Sequence, residues 1–302
     1  MDTLTTKFGA QIKKVVPLAK VSTLITGDNV FQEGNGELIP VLDEMVDSLL
    51  LPGSGVDGME NLEELLAKAE TGKSCLLLLE HYSNFDLSLF SVLVRRAGGR
   101  GEAIGKALIA IAGMKLNEDD PVVAAFASAY TRIVIYPSRS LHGLDAEKKQ
   151  AENVRSIAIN RAALKVLDDV KTQGRLILLF PAGTRYRPWD PSTKKGVREI
   201  DAYIRSFDYM CCVALNGQIL HVQKTDMMND VVSRDIIRVT AGPVYSCTEF
   251  RDTARAAADA AGVEDKKQAV VDAIMAELDR LHITAEEKRR GCLNKLSLDA
   301  QA

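Results

Sequence analysis

Cys75-Leu76-Leu77-Leu78-Leu79-Glu80-His81-Tyr82-Ser83-Asn84-Phe85-Asp86 is the stretch that decides how the chain is read. Its first five residues are apolar without alternation, so a strand formed there is covered on both faces. Polar, turn-forming residues then end the strand, and a helical pattern over 86–97 follows. Further along, Leu176-Ile177-Leu178-Leu179-Phe180 repeats the plan and runs into Pro181-Ala182-Gly183-Thr184-Arg185-Tyr186-Arg187. Continuous apolar runs at 133–136, 209–215 and 236–239 read as further strands. Helical patterns at 121–130, 147–173 and 196–206 lie between them. That alternation predicts an α/β fold with a mixed, largely parallel sheet flanked by helices.

Ahead of this pattern, residues 1–70 read as a small helical N-terminal subdomain. Ile12, Val15, Val16 and Ala19 keep helical spacing around Pro17, Leu38 to Leu51 is amphipathic, and Pro52-Gly53-Ser54-Gly55 breaks it. Met59 to Glu70 forms a third helix ending at Gly72. The main domain is expected over 71–302, with its motif-bearing core at 73–245 and a helical tail. In that tail Val270, Val271, Ile274, Met275, Leu278 and Leu281 share one stripe. The stripe reads as core packing, with a membrane or partner contact as the alternative.

The 302 residues, 46% hydrophobic and 26% charged, are ordinary for a globular protein. A net charge of −3 argues against a nucleic-acid-binding surface. It still leaves a local basic patch in Arg185, Arg187, Lys194, Lys195, Arg198 and Arg205. The longest apolar stretch, Ala103 to Met114, contains Lys106 and is too short to span a bilayer. Met1-Asp2 opens without the basic flank of a signal peptide. The five cysteines lack Cys-x-x-Cys spacing and read as reduced, mostly buried thiols, so a cytoplasmic location is expected. His142, His221 and His282 lack ligand spacing, and no metal site is expected.

His81 directly follows a strand, where open α/β sheets carry functional groups. Asp86 can fold back on its imidazole, fixing the tautomer and supporting the charge that forms. Ser83-x-x-Asp86 is equally a capping-box spacing, and the two roles are compatible. No Gly-x-Ser-x-Gly elbow supplies a nucleophile, so His81 is cast as a general base on a bound hydroxyl. In the second stretch Pro181 stops the strand and Gly183 permits a sharp turn. Arg185 and Arg187 then lie on one side of an extended segment, with Tyr186 on the other, as an anion clamp. Arg139 and Lys106 are further candidates for the same anion. Thr71-Gly72-Lys73-Ser74 precedes its strand and reads as a turn rather than a phosphate loop. Gly98-Gly99-Arg100-Gly101 reads as a helix-ending loop.

These two blocks resemble the glycerolipid (phospholipid/glycerol) acyltransferases, which carry His-x4-Asp and, later, Phe-Pro-Glu-Gly-Thr-Arg. His81 and Asp86 match the first; Phe180, Pro181, Gly183, Thr184 and Arg185 match the second, over a resemblance of roughly 73–245. Ala182 stands in place of the Glu. The middle block is matched loosely by Ile133 to Arg139, and Val213-Ala214-Leu215 runs into Asn216-Gly217 where the family has Pro. The spacing, the second arginine and the absent membrane helix look more like the soluble glycerol-3-phosphate acyltransferases, where a small residue often replaces the Glu.

The resemblance implies that His81 is the base and Asp86 its support, with Gly183, Thr184, Arg185 and Arg187 at the acceptor phosphate. It implies an acyl donor that is a thioester of acyl carrier protein or coenzyme A. The acceptor would be glycerol 3-phosphate or lysophosphatidic acid, with no metal or redox cofactor, and contact with the inner face of a membrane would be peripheral. The competing expectation, motivated by Ala182, is a non-catalytic lipid- or phosphate-binding protein on the same scaffold.

Overall fold

A computed structural model of the chain describes residues 2–19, 22, 24–118, 120–141, 145–225 and 227–299. His142 lies outside the described residues. In chain order the strands are β1 (Phe31–Gln32), β2 (Gly55–Asp57), β3 (Cys75–Leu79), β4 (Leu108–Gly113) and β5 (Arg132–Ile135). They continue as β6 (Leu176–Leu179), β7 (Tyr209–Asn216), β8 (Leu220–His221), β9 (Val231–Val232) and β10 (Arg238–Ser246). The helices are α1 (Leu4–Leu18), α2 (Ile39–Asp47), α3 (Met59–Glu70), α4 (Asp86–Arg96), α5 (Gly101–Ala107) and α6 (Lys115–Glu118). After them come α7 (Pro121–Ala127), α8 (Ala146–Val170), α9 (Ile200–Ser206), α10 (Cys247–Ala260) and α11 (Lys266–Asp299).

Eight strands form one mixed sheet in the order β1-β5-β4-β6-β3-β7-β10-β2. The middle five, β5-β4-β6-β3-β7, are parallel, while β1 and β10 run antiparallel to their neighbours β5 and β7. The fold is therefore α/β with a largely parallel sheet, as the alternation of runs predicts.

The period of two along each strand sorts its residues between two core layers. Cys75, Leu77 and Leu79 face one layer with Leu176, Leu178, Cys211 and Val213, beneath α1 to α5. Leu76 and Leu78 face the other with Ile177, Leu179, Met210 and Cys212, beneath α8, α9 and α11. Every residue of β3 is fully buried, each leucine contributing about 1.5–3 kcal/mol by leaving water. The tail stripe is core: Val270, Val271, Ile274, Leu278 and Leu281 are buried in the second layer, and Met275 packs against it.

Residues 1–70 supply α1, α2 and α3 together with two edge strands, and these helices share the first core layer with β3 and α4. Arg95 and Arg96 at the end of α4 pair with Asp43 and Asp47 of α2 and tie the segment to the motif-bearing helix. Cys75, Cys211, Cys212 and Cys247 are buried free thiols, and burial pushes Cys75 and Cys211 up to about 12. Among the described residues no helix is long and apolar enough to cross a membrane.

Candidate active site

Parallel strands deliver their C-terminal ends to one edge of the sheet, and both motifs emerge there. β3 stays in register through Glu80, whose N–H donates to the Val213 carbonyl, and the chain then turns at His81. His81 Nδ1 lies 2.9 Å from Asp86 Oδ2, at the first turn of α4. Asp86, 1% exposed, also accepts from the Tyr82 and Ser83 N–H groups and from Ser83 Oγ, the last two at 2.8 Å. A carboxylate with these donors is the acceptor towards His81, so Nδ1 carries the proton and Nε2 keeps its lone pair. Ser83 Oγ in turn accepts from Phe85 N–H at 3.1 Å within the turn, while α4 starts at Asp86 with Phe85 as its N-cap and no side-chain cap, so the expected capping box does not form.

The second motif joins the first through backbone and ring. The Tyr186 N–H donates to the His81 carbonyl at 2.8 Å. The His81 imidazole stacks on Phe180 with centroids 3.9 Å apart and planes at 18°. Gly183 adopts φ +62°, the left-handed region that glycine enters without strain, and its N–H closes a turn on the Phe180 carbonyl. Arg139, just past β5, donates Nη2 to the Ala182 carbonyl at 2.9 Å, so it does reach this loop. The contact uses the Ala182 backbone. Thr184 is half-buried in the same turn.

The arginine pair is not symmetric. Arg185 Nη1 is 3.0 Å from Asp230 Oδ2, with the side chains 13% and 1% exposed. Burial lowers the Arg185 pKa, against the raising effect of Asp230, and the neighbouring charge of Arg187 lowers it further. Arg187 donates its backbone N–H to Thr193 Oγ1 at 2.8 Å, and its guanidinium has no ion pair among the described residues. Of the two arginines expected at the phosphate, Arg185 is paired with a buried carboxylate, whereas Arg187 is paired with none among the described residues. The Tyr186 ring is set edge-on to Tyr82 at 6.1 Å.

Lys106 ends α5 ahead of β4, at the sheet edge opposite His81, where its carbonyl accepts from Arg175 at 3.0 Å. It is not brought to the site. Sequence reasoning also missed three groups beside His81. Glu80 and His282 meet at 2.8 Å, and Tyr82 Oη donates to Glu80 at 2.9 Å. Burial, then the Glu80 charge, raises the Tyr82 phenol far above its ordinary range. The only signal was the polar Glu80 at the end of an apolar strand.

Chemically, the edge offers an oriented imidazole with a free nitrogen, a carboxylate behind it, and cations from two further strand ends. No protein-family model matches the chain, and no curated protein is detectably similar to it.

Proposed function

We propose that the chain is an O-acyltransferase of glycerophospholipid synthesis. It would move a fatty acyl group from acyl carrier protein or coenzyme A to glycerol 3-phosphate or 1-acylglycerol 3-phosphate. The observation that carries the reading is the His81–Asp86 contact at 2.9 Å, held against Phe180 of the second motif. The order His-x4-Asp, then Phe-Pro-x-Gly-Thr-Arg, with both blocks at one sheet edge, supports the resemblance to the glycerolipid acyltransferases.

In this mechanism His81 Nε2 takes the proton of the acceptor hydroxyl as its oxygen attacks the thioester carbonyl. Asp86 stabilises the imidazolium that forms. The tetrahedral adduct collapses, the C–S bond breaks, and the departing thiolate recovers the proton from His81. The thioester supplies the activation, so the step needs no metal or redox group. Arg187 would grip the acceptor phosphate, with Arg139 and the field of Arg185 beside it. Action would be cytoplasmic, with peripheral contact at the inner membrane face where the product is lipid.

The experiment is an acceptor screen. Purified protein is given an acyl thioester with glycerol 3-phosphate, 1-acylglycerol 3-phosphate or glycerol, and products are read by mass spectrometry. An ester product confined to the phosphorylated acceptors is expected. Thioester binding with no ester formed would instead favour a non-catalytic lipid- or phosphate-binding protein.

A further inference from the structure

We infer that His282, on the C-terminal helix α11, is a positioning residue for the base, acting on His81 through Glu80 and Tyr82. The inference rests on the reading of His81 as the base. Glu80 and Tyr82 flank His81 in sequence, and their side chains meet on one side, Tyr82 reaching back to Glu80 from the bend that follows His81. On that side Glu80, 4% exposed, accepts three hydrogen bonds. Tyr82 Oη donates to Oε1 at 2.9 Å, while the Leu215 N–H and His282 Nδ1 each approach Oε2 at 2.8 Å. Tyr82 Oη is also 3.3 Å from His282 Nδ1. With the carboxylate as acceptor, His282 carries its proton on Nδ1.

Fixing both neighbours of His81 fixes the two peptide planes on either side of it, and hence the direction of its Cα–Cβ bond. That direction sets whether Nδ1 meets Asp86 and whether the ring lies on Phe180. The anchor is firm. Asn216 Nδ2 donates to the His282 carbonyl at 2.9 Å, and Leu278 and Leu281 of the same helix are buried. One turn earlier, Lys194 Nζ meets Asp279 of α11 at 2.6 Å, which binds the helix to the loop that follows the second motif.

Packing alone does not call for this arrangement. The apolar stripe of α11 already seats the helix, and a carboxylate–imidazole pair in that wall adds little net stability over an apolar one. What a polar cluster adds is a unique geometry, here imposed on the residues bracketing the base.

The test separates the two nitrogens of His282. Asn presents an amide donor near the position of Nδ1, whereas Gln presents one near Nε2. With histidine labelled by ¹⁵N, NMR at fixed pH reads the tautomer of His81 directly. In wild type and in His282→Asn, the Nδ1-protonated form should dominate. In His282→Gln and His282→Ala, the His81 signals should shift towards a mixture of tautomers.

Where acyl transfer is measured, kcat should fall about ten- to a hundredfold in the Gln and Ala variants, the scale of a misplacement near 1 Å. KM for the acceptor should be unchanged, and Asn should restore the rate. Unaltered His81 signals in a folded Gln or Ala variant would overturn the inference, as would Asn and Gln behaving alike. Should the Ala variant not fold, the Asn–Gln comparison decides. The NMR result stands whether or not acyl transfer is found, so a failure of the proposed activity is distinguishable from a failure of this inference.

Discussion

Replacing Arg185 and Arg187 one at a time should produce two different kinds of damage. Arg185 faces Asp230 at 3.0 Å with the carboxylate 1% exposed, and removing one member of a buried ion pair costs about 3–5 kcal/mol. Asp230 also carries backbone structure, since its carbonyl accepts from Leu4 N–H and its Oδ1 from Gln223 N–H at 2.9 Å. Arg185→Ala should therefore lower the denaturant midpoint substantially, because the loop that follows β8 and the start of α1 are held at the same point. Among the described residues Arg187 has no ion pair to lose, so Arg187→Ala should leave stability within about 0.5 kcal/mol. Its cost should appear in kcat/KM for the phosphorylated acceptor. A charge-assisted contact of about 1.5–3 kcal/mol corresponds to a loss of roughly ten- to a hundredfold. Lysine should rescue only in part, because it offers a point charge in place of a planar fork. Acylation of unphosphorylated glycerol is the internal control and should hardly change. Urea melts of both variants, with kinetics on both acceptors, make the comparison. Equal destabilisation by the two substitutions, or equal losses on both acceptors for Arg187→Ala, would refute the assignment.

His81→Ala should retain the wild-type fold by circular dichroism and lose about 10²–10⁴-fold in rate, the usual contribution of a positioned base. Asp86→Asn should be severely impaired per folded molecule; if only stability suffers, Asp86 is a helix-start residue alone. Lys106→Ala should leave acceptor KM unchanged, since its place is at the far sheet edge, and a raised KM would contradict that geometry. Glu286 is held down to about 2, chiefly by its hydrogen bond with Arg289. A lowered carboxylate pKa gives stability that is complete above its unfolded value of 4.5 and is lost as pH falls towards about 2. Glu286→Gln should therefore cost at most about 1 kcal/mol near neutral pH, after solvent screening, and nothing near pH 2. A difference that does not vary across that window would exclude the ion pair as its source.

The elements legible in the sequence were those whose signal is local. Runs such as Leu76 to Leu79 and Leu176 to Leu179 contain no polar interruption, and the two motifs follow them at once. β4 was missed because Gly105 to Gly113 is rich in small residues and carries Lys106. β10 was expected to stop at Val239, yet it runs to Ser246 with a register shift between Ala241 and Val244. Gly242-Pro243 reads as a terminator in sequence; in the sheet it lies within that irregularity, the kind of place where a proline fits.

The same distinction holds in the site. His81 and Asp86 are five apart, so one turn brings them together and spacing alone announces it. Asp230 and His282 reach Arg185 and Glu80 from distant segments, with no spacing to announce them. The clamp expected of Arg185 and Arg187 followed from strand geometry, which could not announce that a buried carboxylate pairs with one of them.

The most direct test follows free thiol release from an acyl thioester, with and without glycerol 3-phosphate, for the wild-type protein and for His81→Ala. The account predicts release that depends on the acceptor, matches ester formation mole for mole, and disappears in His81→Ala. Release that is indifferent to the acceptor, or that persists in the folded His81→Ala variant, would contradict it.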